Sequence, residues 1–136
     1  MIGKYPYSWG GGDYNGATHG SEQHEKPFCN DKKVVGFDCS GLALYAVYQG
    51  TGIKLPHKAS DQYSRASSKG KLVSSSQMKP GDLVFFKGKT IHHVAIYSGN
   101  GNMIEAKWHN PDCSGIYMHE TKLRTGELMG KVARFW

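Results

Sequence analysis

Cys39 stands between an acid and a hydroxyl in the run GFDCSGL, Gly36 to Leu42, at the point where the sequence turns helical. A cysteine at a helix start gains from the partial positive charge of the N-terminus and from backbone N–H groups that lack an intrahelical partner. Its thiol is therefore expected to ionise more easily than a free one. Thiolate chemistry also needs a base, and the base needs an orienting group. His93, in HHVAIY, is the candidate base, and Glu105 is the candidate orienter, with His109 as a substitute beyond the expected strand end. His92 is the rival to His93, and because adjacent side chains of a strand point to opposite faces, only one of them can face Cys39. The competing reading of Cys39 is a buried structural thiol with an unrelated histidine.

The elements that must position these residues follow from the pattern around them. From Asp38 onward Leu42, Tyr45 and Ala46 share one helical face, with Ala43 and Val47 beside them, Asp38 as N-cap, and Gly50 and Gly52 as the stop. A weaker helix is predicted from about Ala59 to Ser67. Lys79-Pro80-Gly81-Asp82 is a turn, and Leu83 to Phe86 reads as a buried strand. His92 to Tyr97 and Asn102 to Trp108 flank Ser98-Gly99-Asn100-Gly101 as a hairpin, and Gly115 to Glu120 and Lys131 to Trp136 supply further strands. The plan is α+β, a cysteine-bearing helix on about five antiparallel strands. The hairpin turn decides whether His93 meets Glu105. A three-residue loop at Gly99, Asn100 and Gly101 sets Ala95 opposite Glu105, with His93 and Glu105 as diagonal neighbours on one face, roughly 7 to 8 Å apart at their α-carbons. A two-residue loop at Asn100-Gly101 sends them to opposite faces.

Composition bounds the remaining possibilities. At 136 residues the chain is expected to be a single domain, 1–136, and 18 glycines with 8 tyrosines point to turns and half-buried strands rather than a helical bundle. The 17 Lys and Arg against 11 Asp and Glu give a net charge of +6, which favours anionic partners. The basic residues are scattered in ones and twos without a nucleic-acid-binding motif, so an anionic cell wall is the better fit. No apolar run approaches membrane-spanning length, and the start lacks the apolar core of a signal peptide, so the sequence is read as a trimmed chain or one delivered by a secretion machine. If Cys39 must stay free, Cys29 and Cys113 remain for one disulfide in an oxidising compartment, which spacing alone does not establish. Zinc-type Cys and His spacing is absent, so neither a metal nor another cofactor is expected. Asp13 to Val35 is polar and reads as a surface insertion beside the glycine turn of YPYSWGGG.

The ordered motifs PYSWGG, GFDCSGL, LPHKASDQY, MKPGDLVFF and HHVAIYSGNGNMIEA run through almost the whole chain. In that order they resemble the NlpC family of cell-wall cysteine peptidases, the NlpC/p-sixty group. The resemblance implies a papain-like fold, with Cys39 as nucleophile and His93 as general base. The family's third catalytic position, usually His or a side-chain amide, falls on Glu105, a departure that still provides an acceptor for the imidazole N–H. The resemblance further implies that Tyr7 lines the site and that Asp38 and Ser40, with His92 nearby, bind the substrate's free amino group and adjacent polar atoms. The implied substrate is a peptidoglycan stem peptide, cut between γ-D-glutamate and diaminopimelate in an extracellular or periplasmic setting. A monomer is expected, with an immunity or inhibitor protein as a candidate partner of the insertion. Two other classes fit the same residues: a cysteine acyltransferase of transglutaminase type and a non-catalytic wall-binding module.

Overall fold

The computed structural model describes residues 11–19, 35–106 and 119–136. Tyr7, Trp9, Cys29, His109 and Cys113 lie outside the described residues, and with them the expected disulfide and most of the proposed insertion. Two short strands, β1 (Thr18–His19) and β2 (Val35–Gly36), pair antiparallel and bring the two ends of that insertion together. Helix α1 (Cys39–Thr51) follows at once, then α2 (Ala59–Ser68). The rest is sheet: β3 (Leu72–Ser74), β4 (Leu83–Lys87), β5 (Ile91–Gly99), β6 (Asn102–Glu105), β7 (His119–Lys122) and β8 (Lys131–Ala133). Its six strands run in the order β3-β8-β4-β5-β6-β7, every neighbouring pair antiparallel. The α+β plan is therefore observed, with one strand more than expected. The extra strand, β3, has only three residues, too few for alternation to register in the sequence.

Helix α1 begins and ends where its sequence dictates. Asp38 has extended backbone, and its carboxylate accepts the Gly41 N–H at 2.7 Å, a cap worth about 1 kcal/mol. Gly52 closes the helix at φ 76°, a left-handed position that glycine occupies without strain. The buried side of α1 carries Leu42, Ala43, Leu44 and Val47. Ala43 and Val47 pack with Leu55, Leu83, Phe85, Val94 and Phe135 between the helices and one face of the sheet. The other face is also covered: Val84, Phe86, Ala95, Met103 and Val132 pack under Met78, Leu123 and Leu128. Burial on both faces explains why β4 reads as an unbroken apolar run.

Close contacts fix the segment before α1 against its surroundings. The Gly11 carbonyl accepts the Asp38 N–H at 3.0 Å, so the glycine turn lies directly on the GFDCSGL segment. A Cβ on Gly41 would run into that carbonyl, and one on Gly12, at φ 101°, would sit 2.6 Å from the Phe37 ring. Tyr14 reaches across to donate its hydroxyl to the Leu55 carbonyl at 2.8 Å. Residues 13–19 are thus tied to the helices rather than forming a loose surface loop, which narrows the inserted stretch. Gly41→Ala should lower stability by about 1–3 kcal/mol through overpacking, read as a fall in the denaturant midpoint at unchanged slope.

Candidate active site

Cys39 is the first residue of α1, half-buried where the helix start abuts β5. The β5 to β6 ladder stops at the pair Ile96 and Ile104, so the Val94 N–H lies beyond it. That N–H and those of Ser40 and Cys39 itself point at the sulfur, each favouring the thiolate. They are outweighed. Burial and then the neighbouring Asp38 carboxylate push the thiol up to about 12, against 9.0 for an unperturbed one. This overturns the expectation of easy ionisation: the helix terminus acts as predicted, but desolvation and a like charge cost the thiolate more. A thiol held neutral can react only if a base removes its proton.

His93 immediately precedes Val94 and so brings an imidazole to that part of the strand. Its Nε2 lies 2.7 Å from Glu105 Oε1. Glu105 is completely buried and also receives two bonds from Arg124, Nη1 to Oε2 at 2.9 Å and Nη2 to Oε1 at 2.6 Å. An acceptor engaged on both oxygens by a guanidinium is a carboxylate, so Nε2 of His93 carries the proton and donates it. Nδ1 is left as the basic nitrogen.

The hairpin achieves this pairing in an unexpected way. The loop is the two-residue one: Gly99 pairs with Asn102, and Asn100 and Gly101 both have positive φ, at 54° and 77°. By the simple argument His93 and Glu105 should then lie on opposite faces. A bulge between Tyr97 and Gly99 inserts one unmatched residue, Ser98, and Tyr97 pairs with Met103 and Ile96 with Ile104. The bulge restores the register that a three-residue loop would have given. His92 obeys the expected alternation: it is exposed and turned to Glu127, Nε2 to Oε1 at 3.1 Å.

Asp38 and Ser40 are both buried at the helix start. Ser40 Oγ donates to Asp38 Oδ1 at 3.3 Å, and His57 Nε2 approaches Oδ1 and Oδ2 of the same carboxylate at 2.9 and 3.1 Å. Nothing in the sequence points to a role for His57, although it stands in LPHKASDQY. Gln62, fully buried on α2, holds its loop by donating to the carbonyls of Ser40 and Pro56, both at 2.9 Å. The hydrogen bond to Asp38 raises the His57 pKa above its ordinary 6.5, burial opposing and the carboxylate charge adding. Because the folded value is raised, the pair's contribution to stability is complete below about pH 6.5 and is lost as pH rises through the folded value. The Tm difference between the parent and His57→Phe should accordingly be largest at acid pH and shrink towards pH 9, as thermal melts across that range would show.

Among the described residues no three His, Cys, Asp or Glu side chains converge to hold a metal ion. No described helix is long and apolar enough to cross a membrane. Helix α1 carries the thiol, and β5, which packs against it, carries an imidazole bonded to a buried carboxylate; a thiol, an imidazole and an orienting carboxylate are the residue types that nucleophilic acyl chemistry uses.

The chain is similar to known peptidoglycan endopeptidases. The RipA peptidoglycan endopeptidase of Mycobacterium tuberculosis is 41% identical over 130 residues, covering 96% of this chain and 24% of RipA. The chain thus spans about a quarter of that relative's length. A solved RipA structure superposes with a TM-score of 0.78 at 39% identity, covering 98% of this chain and 56% of that one. Solved RipA variants include ones mutated at a cysteine, a histidine and a glutamate, the last two separated by 12 residues as His93 and Glu105 are. RipD of M. tuberculosis, described as a non-catalytic NlpC/p60 domain protein adapted to peptidoglycan binding, superposes at 0.76 with 31% identity, covering 99% of this chain and 89% of that one. The sequence model of the NlpC/P60 family itself matches residues 3–127, nearly the whole chain, and with the shared architecture this makes the protein a member of the NlpC/P60 family.

Proposed function

We propose that this chain is a cysteine peptidase of peptidoglycan stem peptides that cuts between γ-D-glutamate and diaminopimelate. The observation that carries the reading is the His93 to Glu105 bond at 2.7 Å, made from the strand that packs against the helix-terminal Cys39, whose thiol needs a base. The naming of RipA as a peptidoglycan endopeptidase supports the substrate class, and the choice of bond follows the family resemblance.

In this reading Nδ1 of His93 takes the Cys39 proton as sulfur attacks the scissile carbonyl. The Cys39 backbone N–H, at the positive end of α1, faces the developing oxyanion, with the Tyr7 hydroxyl as a second donor. The imidazolium, stabilised by Glu105, returns the proton to the departing amine. A thioester remains, and water activated by His93 hydrolyses it. Asp38 and Ser40 receive the free amine at the start of the stem peptide. A cation seated there offsets the Asp38 charge that opposes the thiolate, so substrate binding itself favours ionisation of Cys39.

The test is mass spectrometry of soluble products from diaminopimelate-type peptidoglycan. Fragments ending in D-glutamate are expected from the parent chain. Transfer of the acyl group to an added amine would instead indicate an acyltransferase. A second reading, a wall-binding module, is favoured by the likeness to RipD. It predicts wall binding with no fragments from the parent and no change on Cys39→Ala.

A further inference from the structure

We propose that Arg124 is a positioning residue for His93, acting through Glu105: its guanidinium holds the buried carboxylate ionised and so fixes the imidazole tautomer that leaves Nδ1 free. The inference rests on the reading of His93 as the base, and it extends that reading to a side chain that never touches the nucleophile.

The geometry is a closed ring of side chains. His93 from β5 bonds Glu105 from β6, and Arg124, just after β7, grips both oxygens of Glu105. The Arg124 guanidinium lies over the Phe86 ring of β4, 5.4 Å from its centroid, and Phe86 in turn packs against the His93 imidazole at 5.6 Å between centroids. The backbone that carries Arg124 is pinned beside it, Leu123 donating its N–H to the Gly101 carbonyl at 2.8 Å and packing into the core. Arg124 can therefore hold the carboxylate in one orientation, and the same ring of contacts fixes the plane of the imidazole.

The burial is asymmetric. Glu105 is 0% exposed, while the Arg124 side chain is 42% exposed. A guanidinium that keeps part of its hydration costs little to hold in place, but a carboxylate at full burial needs a counter-charge. Without one, the buried carboxylate takes up a proton, or it draws a proton onto His93 to make its own partner. Both outcomes remove the neutral imidazole with Nδ1 free. A protonated Glu105 would donate to Nε2 and reverse the tautomer, and a protonated His93 has no lone pair for the thiol. Among the described residues this centre joins His93 from β5, Glu105 from β6 and Arg124 after β7, with Phe86 of β4 packed on it. Arg124 touches Glu105, and His57 touches Asp38.

The test compares the parent chain with Arg124→Met and Arg124→Gln, which both lose the charge, and with Arg124→Lys, which keeps it. Two readouts are taken: the pH profile of kcat/KM on a stem peptide and the ring-nitrogen NMR signals of His93 as a function of pH. The charge-removing variants are expected to move the acid limb of kcat/KM upward by about one pH unit or more, about a tenfold loss on that limb, with KM little changed and activity recovering at higher pH. Arg124→Lys should return most of the shift, and the His93 titration should move with the limb. A uniform loss at every pH with unaltered His93 signals would reduce Arg124 to a structural ion pair and overturn the proposal. The two readouts also separate its failure from that of the peptidase reading. If the parent shows no turnover while the His93 signals still shift on charge removal, only the peptidase reading falls.

Discussion

Cys39→Ala is expected to leave the chain folded and to remove turnover, by about 10⁴-fold or more, because the thiol is the atom to which the acyl group is transferred. The stability cost should be small, about 1 kcal/mol, since one half-buried sulfur is lost from the end of a helix whose cap belongs to Asp38. The same variant should retain wall binding, because Asp38, Ser40 and the cleft backbone are untouched. Loss of turnover with binding intact, measured by product release and by sedimentation with insoluble peptidoglycan, separates catalysis at Cys39 from recognition around it. A variant that released fragments at the parent rate would remove Cys39 from the mechanism.

The second large effect is expected at Glu105. Its Oε1 serves two donors at once, His93 Nε2 at 2.7 Å and Arg124 Nη2 at 2.6 Å, while Oε2 accepts Arg124 Nη1 at 2.9 Å. In Glu105→Gln the amide can keep its oxygen towards His93 only by turning its NH₂ towards Arg124, donor against donor. Flipping the amide satisfies part of the Arg124 fork but presents a donor to Nε2 and selects the wrong tautomer. We expect kcat to fall by up to about 10⁴-fold at neutral pH, the loss seen when the orienting carboxylate of a catalytic triad becomes an amide. Stability should fall by about 1–3 kcal/mol, less than for a fully buried pair, because Arg124 is 42% exposed and can rehydrate. Steady-state kinetics alongside denaturant unfolding would show both. A rate unaltered at every pH would take Glu105 out of the reaction.

The parts of this architecture that local physics controls were legible in the sequence. Asp38 and Gly52 bound α1 because capping needs only a carboxylate at one end and a left-handed glycine at the other. The run Leu83 to Phe86 announced a buried strand, and Ser98-Gly99-Asn100-Gly101 announced a hairpin turn whose length stayed open. What escaped depended on partners distant in the chain. The bulge at Ser98 left no mark in the sequence, so the turn type alone gave the wrong faces for His93 and Glu105. Arg124 reads as one more surface cation in KLRTGE until β7 pairs with β6 and brings it to Glu105. His57 stands in LPHKASDQY with no local sign of a role, because only the fold sets it on Asp38. The thiol was misjudged for a similar reason. A helix terminus is visible in sequence, whereas the packing of that terminus on β5, which desolvates the sulfur, is not.

The central claim is that His93 is the base for Cys39, and the most direct test needs no substrate. It is the rate at which iodoacetamide alkylates Cys39, followed from pH 5 to pH 11 by the mass of the peptide that bears it, in the parent and in His93→Gln. With the thiol pushed up to about 12 by burial and Asp38, an unassisted Cys39 should react appreciably only at the alkaline end. With His93 as the base, the parent is expected to be alkylated readily at neutral pH, and His93→Gln to lose this neutral reactivity and keep only the alkaline rise. Two superimposable curves would contradict it, leaving Cys39 a thiol at a helix start and His93 a histidine bound to a carboxylate.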